Sequence, residues 1–311
     1  KVAETEFEDF IRQLPNVPLE TVPVGPDESG NVVLREAGVK PKFSFVPRDY
    51  IDLGEKLDLI DTERAAKVSG SRFGYLKHEG PLLEFALVQF AMNFVGDEKN
   101  IADIIKAKNL SISSKPFIPV VPPVLIKPEA MKAMGYVERG GDEIYYLEKD
   151  NLYLVGTSEQ SVGPMHMGEV FEEEKFPHRH IAFSMLGIEE ALMTRLGIPY
   201  HVLNICTGDL GDPAAAKYDI EAWLPGQNGG EGEYRETHST SNTTDFQARR
   251  LNIKIRRKDG KLEYVHMLNG TGFAIGRTII AILENCQQED GSVKVPEALQ
   301  NFMGGIKEIR R

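Results

Sequence analysis

The stretch that decides the fold is residues 216–241, which read AKYDIEAWLPGQNGGEGEYRETHSTS. Residues 216–224 and 232–241 contain several of the β-branched and aromatic residues that favour strands, whereas the Pro-Gly and Gly-Gly pairs between them are typical of turns. The segment therefore predicts two long strands joined as a hairpin. Further strands are predicted at 152–155, 180–183, 201–206, 251–257 and 261–267.

Apolar residues recur at helical spacing in other parts of the chain. We predict helices at 58–68, 81–95, 186–195 and 274–287. Strands joined by hairpins, with helices kept to one side, describe an α+β fold with a mostly antiparallel sheet flanked by helices. The chain contains neither the glycine fingerprint of a dinucleotide-binding fold nor that of a P-loop.

The composition excludes several classes of protein. The 311 residues carry a net charge of -11, which is unsuited to wrapping DNA or another polyanion. No apolar run is long enough to span a membrane, and the charged start of the chain does not resemble a secretory signal. The two cysteines, Cys206 and Cys286, are far apart, which disfavours a disulfide framework and a cysteine-based zinc site. We expect a cytoplasmic protein with no membrane and no DNA partner.

The seven histidines show no spacing typical of a metal site. His178 and His180 are two residues apart, so a strand would place them on one face, but together they supply only two ligands. We therefore do not expect this pair to bind a metal.

Thr157 and Glu159 directly follow the strand predicted at 152–155. Polar side chains at the end of a strand often line a pocket, and a carboxylate beside hydroxyl groups is suited to holding an ammonium group. The alternative is that Thr157 and Ser158 only cap the strand end.

Residues 233–239 combine charged and hydroxyl side chains in one predicted strand. Regular alternation would put Glu236 and His238 on one face and Ser239 on the other, so Glu236 and Ser239 could share Mg²⁺ only if the strand bulges. A charged strand facing solvent is the alternative.

Arg277 lies in the first turns of the helix predicted at 274–287. An arginine is electrostatically misplaced at the positive end of a helix dipole, which favours an anion opposite it, and a guanidinium suits a phosphate. A structural salt bridge is the alternative.

Several longer segments closely resemble the catalytic core of seryl-tRNA synthetases, a family of class II aminoacyl-tRNA synthetases, and they do so in order along almost the whole chain. They are residues 64–73, 121–123, 208–211, 217–226, 240–250 and 283–292. The resemblance implies a class II synthetase core that joins serine to ATP as seryl adenylate and then transfers the seryl group to serine tRNA.

The resemblance also implies roles for individual residues. Thr157 and Glu159 match the motif that holds the serine amino group, and Asn269 and Thr271 match the pocket for the serine side chain. Residues 236–239, which are Glu236, Thr237, His238 and Ser239, match the segment that binds ATP and Mg²⁺, with Glu236 and Ser239 as the metal ligands. Arg277 matches the arginine that contacts the γ-phosphate, and we take Arg277 and Glu236 as the catalytic residues.

The chain departs from the family pattern at its start. The family carries a long N-terminal coiled coil that grips the tRNA, and only its last stretch, residues 1–14 before Pro15, is matched here. We therefore expect residues 1–14 to be what remains of a helical arm and residues 15–311 to form the catalytic domain. Binding of serine tRNA should be weak or limited to its acceptor end, and the acidic charge points the same way.

A second departure follows residues 180–184. The family continues there with the second class II motif, which bears the arginine that holds the ATP α-phosphate, but here Met185 leads at once into residues that resemble the following helix. Loss of one electrostatic donor costs about 10²- to 10³-fold in rate in other enzymes. Loss of the motif's two strands should also leave unpaired strand edges in the sheet.

The sequence leaves rival functions open. A non-catalytic protein that binds serine or a nucleotide would fit the missing second motif, and a ligase that loads amino acids onto a carrier protein would fit the missing arm. Relatives of the second kind resemble zinc-dependent seryl enzymes, and this chain lacks the cysteine that their site needs. The family also forms homodimers near its first motif, for which the helix at 81–95 is available, with simple core packing as the alternative.

Overall fold

The computed structural model describes residues 7, 10, 11, 13–71, 73–136, 144–181 and 186–311. Most of the helix predicted at 1–14 lies outside these residues, as do the last two residues of the strand predicted at 180–183.

The helices are α1 Tyr50–Lys56, α2 Thr62–Ser69, α3 Glu79–Gly96, α4 Glu98–Ala107, α5 Pro128–Ala133, α6 Glu159–Val162, α7 Leu186–Leu196, α8 Phe246–Leu251, α9 Ile275–Asn285 and α10 Glu297–Gln300. The strands are β1 Val32–Ala37, β2 Ile60–Asp61, β3 Tyr75–Leu76, β4 Ile118–Pro119, β5 Leu125–Ile126, β6 Tyr146–Leu147, β7 Leu152–Leu154, β8 Val170–Glu172, β9 His180–Ile181, β10 Tyr200–Asn204, β11 Ala216–Leu224, β12 Glu233–Thr244, β13 Lys254–Arg256, β14 Leu262–Tyr264, β15 Met267–Gly270, β16 Val293–Lys294 and β17 Glu308–Ile309.

The central sheet has the order β1-β10-β11-β12-β15, and all its neighbouring strands are antiparallel. The hairpin predicted from residues 216–241 is present, with Leu224 opposite Glu233 and Ala216 opposite Asn242. The connection turns closely past another loop, because a Cβ on Gly226 would lie 2.1 Å from the carbonyl oxygen of Arg48. The predicted α+β fold is confirmed.

Helices α3, α7 and α9 pack together with β10 and β11 to form the main core. Its fully buried side chains include Leu87, Leu192, Ile220 and Ile282. In α3 most apolar residues face this core, but Leu82 and Phe85 are 44% and 64% exposed. Core packing therefore explains most of this helix and leaves two large apolar side chains at the surface. In the parts of the chain that are described, no helix is long and apolar enough to cross a membrane.

Several predicted boundaries differ from the structure. The helix predicted from residue 58 begins at Thr62, because Asp58 has a positive φ of 49° and residues 60–61 pair with β3. The strand predicted from residue 251 begins at Lys254, because residues 246–251 form α8, which ends at the left-handed Asn252. The short helices α4, α5 and α8 were not predicted.

The edges of the sheet bear on the missing second motif. Within the described residues, β15 pairs only with β12, and β9 pairs only with β4, in parallel. Each of these two strands thus has one edge without a paired strand among the residues that the structure describes.

Candidate active site

A cavity of about 930 Å³ opens beside the edge strand β15. Most of its lining comes from three regions that are distant in sequence: the turn and helix after β7, the segment that leads into β9, and residues 265–271 in and around β15. The cavity therefore lies where the sheet edge is uncovered.

The four residues predicted to hold serine all line this cavity: Thr157, Glu159, Asn269 and Thr271. Thr157 is exposed in the turn after β7, and Glu159 is the first residue of α6. Asn269 lies in β15 opposite Ser241, and Thr271 directly follows that strand. The fold thus brings together two pairs of residues that are more than a hundred positions apart.

Glu159 is the acidic group of this cavity. Burial raises the pKa of Glu159, while hydrogen bonds from Tyr136 and Gln247 oppose that shift. The Gln247 amide donates to Glu159 Oε1 over 3.3 Å. Since a carboxylate in such a place is stabilised by a nearby cation, the site is suited to an ammonium group. Sequence reasoning missed both neighbours, and only Gln247 lies in a segment that carries the family resemblance.

Strand β12 contains the bulge on which a shared cation site depends. Glu236 is opposite Glu221 and His238 is opposite Ile220, so Thr237 is the extra residue. Paired residues share a face, and Asp219 is opposite Ser239. Glu236 and Ser239 therefore lie on one face despite their odd spacing.

Two residues of this segment point away from that face. The side chains of Thr237 and His238 are fully buried. The Thr237 hydroxyl donates to the carbonyl oxygen of Ile220, and His238 packs edge-on against Phe273. Burial lowers the pKa of His238 to about 3, so the ring is neutral. The prediction that regular alternation puts Glu236 and His238 on one face is therefore wrong, because the extra residue Thr237 moves His238 to the opposite face.

Asp219 adds a carboxylate that sequence reasoning did not single out, although it lies within the segment 217–226. Burial raises the pKa of Asp219 to about 6, Lys217 and Ser239 oppose the shift, and the charge of Glu236 adds to it. Lys217 Nζ lies 3.3 Å from Asp219 Oδ2. Asp219 Oδ1 is buried without a hydrogen-bond partner among the described residues. The carboxylates of Asp219 and Glu236 and the hydroxyl of Ser239 thus lie on one face of the sheet, together with Glu221.

Arg277 is the third residue of α9. Its Nη1 donates to the carbonyl oxygen of Glu236 over 2.6 Å and lies 3.4 Å from Glu236 Oε1. The salt bridge considered as an alternative is therefore present, yet half of the arginine side chain remains exposed. The backbone N–H of Thr271 donates to Ser239 O over 2.8 Å, which joins the cavity to this charged face.

In the fold, a third histidine lies beside the pair His178 and His180. His166, from a 3-10 turn after α6, joins His178 and His180, and the ring nitrogens that the three residues offer lie within 4.8 Å of one another. The sequence did not indicate this because His166 is 12 residues from His178.

Comparisons with known proteins agree with this fold. Residues 185–286 match the tRNA synthetase class II core domain that serves glycine, histidine, proline, serine and threonine. The chain is thus a class II aminoacyl-tRNA synthetase core. Serine-tRNA ligases of Acidothermus cellulolyticus and Thermobifida fusca are 40% and 41% identical to it, over 97% and 96% of the chain and 77% and 76% of the relatives. The chain belongs to the serine-tRNA ligase family.

Solved structures support the same assignment. Seryl-tRNA synthetase from Pyrococcus horikoshii complexed with ATP superposes on this chain with a TM-score of 0.83 and 34% sequence identity. The match covers 99% of this chain and 78% of the Pyrococcus chain. The cytoplasmic serine-tRNA ligase of Naegleria fowleri in complex with AMP has a TM-score of 0.82 and 31% identity, covering 99% of this chain and 79% of its own.

The alignments also bear on the missing motif. The alignment with the Acidothermus relative runs over 345 positions, which is longer than the 311-residue chain. The relative therefore contains residues that have no counterpart here. The match to the class II core domain begins at residue 185, directly after the point where the second motif is expected.

Proposed function

We propose that this chain activates L-serine with ATP, forming seryl adenylate and pyrophosphate, and transfers the seryl group to serine tRNA. The proposal rests on one observation, which is that one cavity is lined by Thr157, Glu159, Asn269 and Thr271. This cavity adjoins the charged face formed by Glu236, Ser239 and Arg277.

In the serine site, the carboxylate of Glu159 pairs with the substrate ammonium group, and the Thr157 hydroxyl accepts one of its hydrogen bonds. Asn269 and Thr271 receive the serine hydroxyl at the other wall. A site that bonds a buried hydroxyl rejects an amino acid lacking one, because its polar groups are then left unpaired.

On the phosphate side, Arg277 contacts the γ-phosphate of ATP, and Glu236 and Ser239 hold Mg²⁺. Carboxylate and hydroxyl oxygens are hard ligands that suit this ion, and the unpartnered Oδ1 of Asp219 lies on the same face. Bound Mg²⁺ would neutralise phosphate charge. Arg277 positions the phosphates and stabilises the charge that develops as pyrophosphate leaves.

We propose that residues 15–311 form the catalytic domain and that residues 1–14 belong to a helical arm. In support of this boundary, the side-chain amide of Asn16 donates to the carbonyl oxygens of Pro213 and Thr243 over 3.0 and 2.9 Å, which ties the start of the domain to β12. The two free cysteines are in keeping with a reducing cytoplasm.

Serine-dependent exchange of pyrophosphate into ATP tests the proposal on protein of verified mass and fold. We expect exchange with serine and none with alanine, which lacks the hydroxyl. The absence of the second class II motif favours one rival, a protein that binds serine or nucleotide without turnover. A folded sample that is thermally stabilised by a seryl-adenylate analogue but shows no exchange would establish the rival instead.

Replacing Thr157 with alanine should raise the KM for serine about tenfold and leave the KM for ATP unchanged. The lost hydrogen bond to the ammonium group contributes about 1.5 kcal/mol, which is close to a factor of ten. Steady-state exchange at varied serine and varied ATP measures both constants. Thr62→Ala, an exposed threonine at the start of α2, is the control. Equal KM values for serine in the two variants would place the ammonium group elsewhere.

We also propose a homodimer that buries the exposed face of α3. Leu82 and Phe85 lie on this face, and β4, with Ile118 half exposed, packs beside the helix. Phe85→Glu should lower the sedimentation mass from dimer to monomer at micromolar concentration, since a charge would have to be buried. Val39→Glu, at another exposed apolar residue, is the control. A parent protein that sediments as a monomer would rule the dimer out.

A further inference from the structure

The cluster of His166, His178 and His180 lines the same cavity as the serine site, and the proposed reaction uses none of these side chains. His166 Nε2 lies 3.2 Å from His180 Nε2. Two nitrogens bound tetrahedrally to one zinc ion at about 2.0–2.1 Å would be about 3.3–3.4 Å apart. This pair therefore already has the spacing of two ligands of one ion.

His178 supplies the third nitrogen. Its Nε2 is buried without a hydrogen-bond partner among the described residues. Buried polar atoms of this kind are rare unless a water, an ion or a ligand completes them. The ring nitrogens that the three residues offer all lie within 4.8 Å of one another, so a closure of at most about 1.5 Å brings them to the spacing of zinc ligands.

Glu169 orients the cluster from outside. Its carboxylate oxygen Oε2 lies 3.1 Å from His166 Nδ1, which directs Nε2 of that ring toward the other two histidines. A carboxylate that holds the outer nitrogen of a ligating histidine is a common partner of protein zinc sites.

Two of the rings lie in surroundings that favour the neutral imidazole. Burial lowers the pKa of His178 and of His180, and the charge of His166 acts in the same direction. Neutral imidazole is the form that coordinates a metal.

We propose that His166, His178 and His180 bind one Zn²⁺ ion, with Glu169 as the carboxylate behind His166. Three protein ligands leave one coordination position, which faces the cavity and takes a water molecule or a small donor ligand. The site goes beyond serine activation.

The test is a zinc titration of the full chain, freed of metal and in competition with a chromophoric chelator. We expect one equivalent of Zn²⁺. His178→Ala should weaken zinc binding by more than about 100-fold. Glu169→Gln should weaken it by about 10- to 100-fold, which is the typical loss when a residue that hydrogen-bonds a metal ligand is replaced. His266→Gln, an exposed histidine in the same cavity but outside the cluster, should bind zinc like the parent.

Cobalt provides a second readout that needs no variant. Co²⁺ added to the parent protein should give the intense visible bands of a four-coordinate site, and one equivalent of Zn²⁺ should abolish them. Zinc binding that His178→Ala leaves unchanged would overturn the proposal. If that variant does not fold, a parent protein that shows no four-coordinate cobalt spectrum overturns it equally. Neither readout uses serine, ATP or tRNA, so failure of serine activation would leave this result untouched.

Discussion

Arg277→Ala should lower the rate of serine-dependent pyrophosphate exchange by about 10²- to 10³-fold, which corresponds to the loss of one electrostatic donor to the transition state. Half of the Arg277 side chain is exposed, and its contacts with Glu236 are to a backbone oxygen and a half-exposed carboxylate. The substitution should therefore leave the fold intact and act mainly on kcat.

The matched control is Arg256→Ala, which removes an arginine of β13 that pairs with Glu172 at 3.5 Å and lies outside the cavity lining. We expect exchange by this variant at the rate of the parent. Circular dichroism and intact mass verify both proteins. If the two variants exchange at the same rate, Arg277 serves only as a partner of Glu236.

Glu189→Gln should stabilise the protein at neutral pH by about 3 kcal/mol, since one pKa unit corresponds to about 1.4 kcal/mol. Glu189 lies in α7 and is fully buried, and its carboxyl oxygens have no hydrogen-bond partner among the described residues. Burial raises the pKa of Glu189 to about 8, the hydroxyl of Thr240 opposes the shift, and the charges of Asp219 and Glu190 add to it.

The sign of the pH dependence follows from this raised pKa. Between about pH 4.5 and pH 8 the folded protein holds a proton that the unfolded chain has released, so its stability falls as the pH rises. Glutamine cannot ionise, and its advantage over the parent should grow by about 4 kcal/mol from pH 5 to pH 8. Urea unfolding at several pH values measures this difference.

Its neighbour Glu190 provides a control of opposite sign. Burial favours a higher pKa for Glu190, but ion pairs with Arg35 and Lys108 outweigh it and lower the pKa. Glu190→Gln should therefore destabilise the protein near neutral pH, and this effect should disappear as the pH falls below the ordinary range of a glutamate. A Glu189→Gln variant with the same pH dependence as the parent would mean that Glu189 is not protonated in the folded protein.

The long elements could be predicted from the sequence because the spacing of their apolar residues and the position of the turn residues indicate the same boundaries. The hairpin of β11 and β12 and helices α3, α7 and α9 lie close to their predicted bounds. Helix α8 could not be predicted, since its six residues are too few for a helical period. The start of α2 was missed because Asp58 adopts a left-handed conformation that its local sequence does not indicate.

The site was predicted unevenly. Motif resemblance named Thr157, Glu159, Asn269 and Thr271, and the fold brings all four to one cavity. It could not separate the outward Glu236 from the buried His238, because that depends on one extra residue in β12. The third histidine was missed because proximity in the fold is not recorded in sequence spacing.

The bulge at Thr237 also changes which positions of β12 lie on each face of the sheet. Before it, the face shared with Glu236 carries even-numbered positions, and after it the same face carries odd-numbered ones, beginning with Ser239. The two halves of the strand are thus out of phase. A two-residue periodicity summed over all twelve positions partly cancels, so the strand lacks the alternation that usually marks one. The strand therefore carries the proposed metal ligands, Glu236 and Ser239, and the buried His238 at positions that a search for regular alternation would assign to the wrong faces.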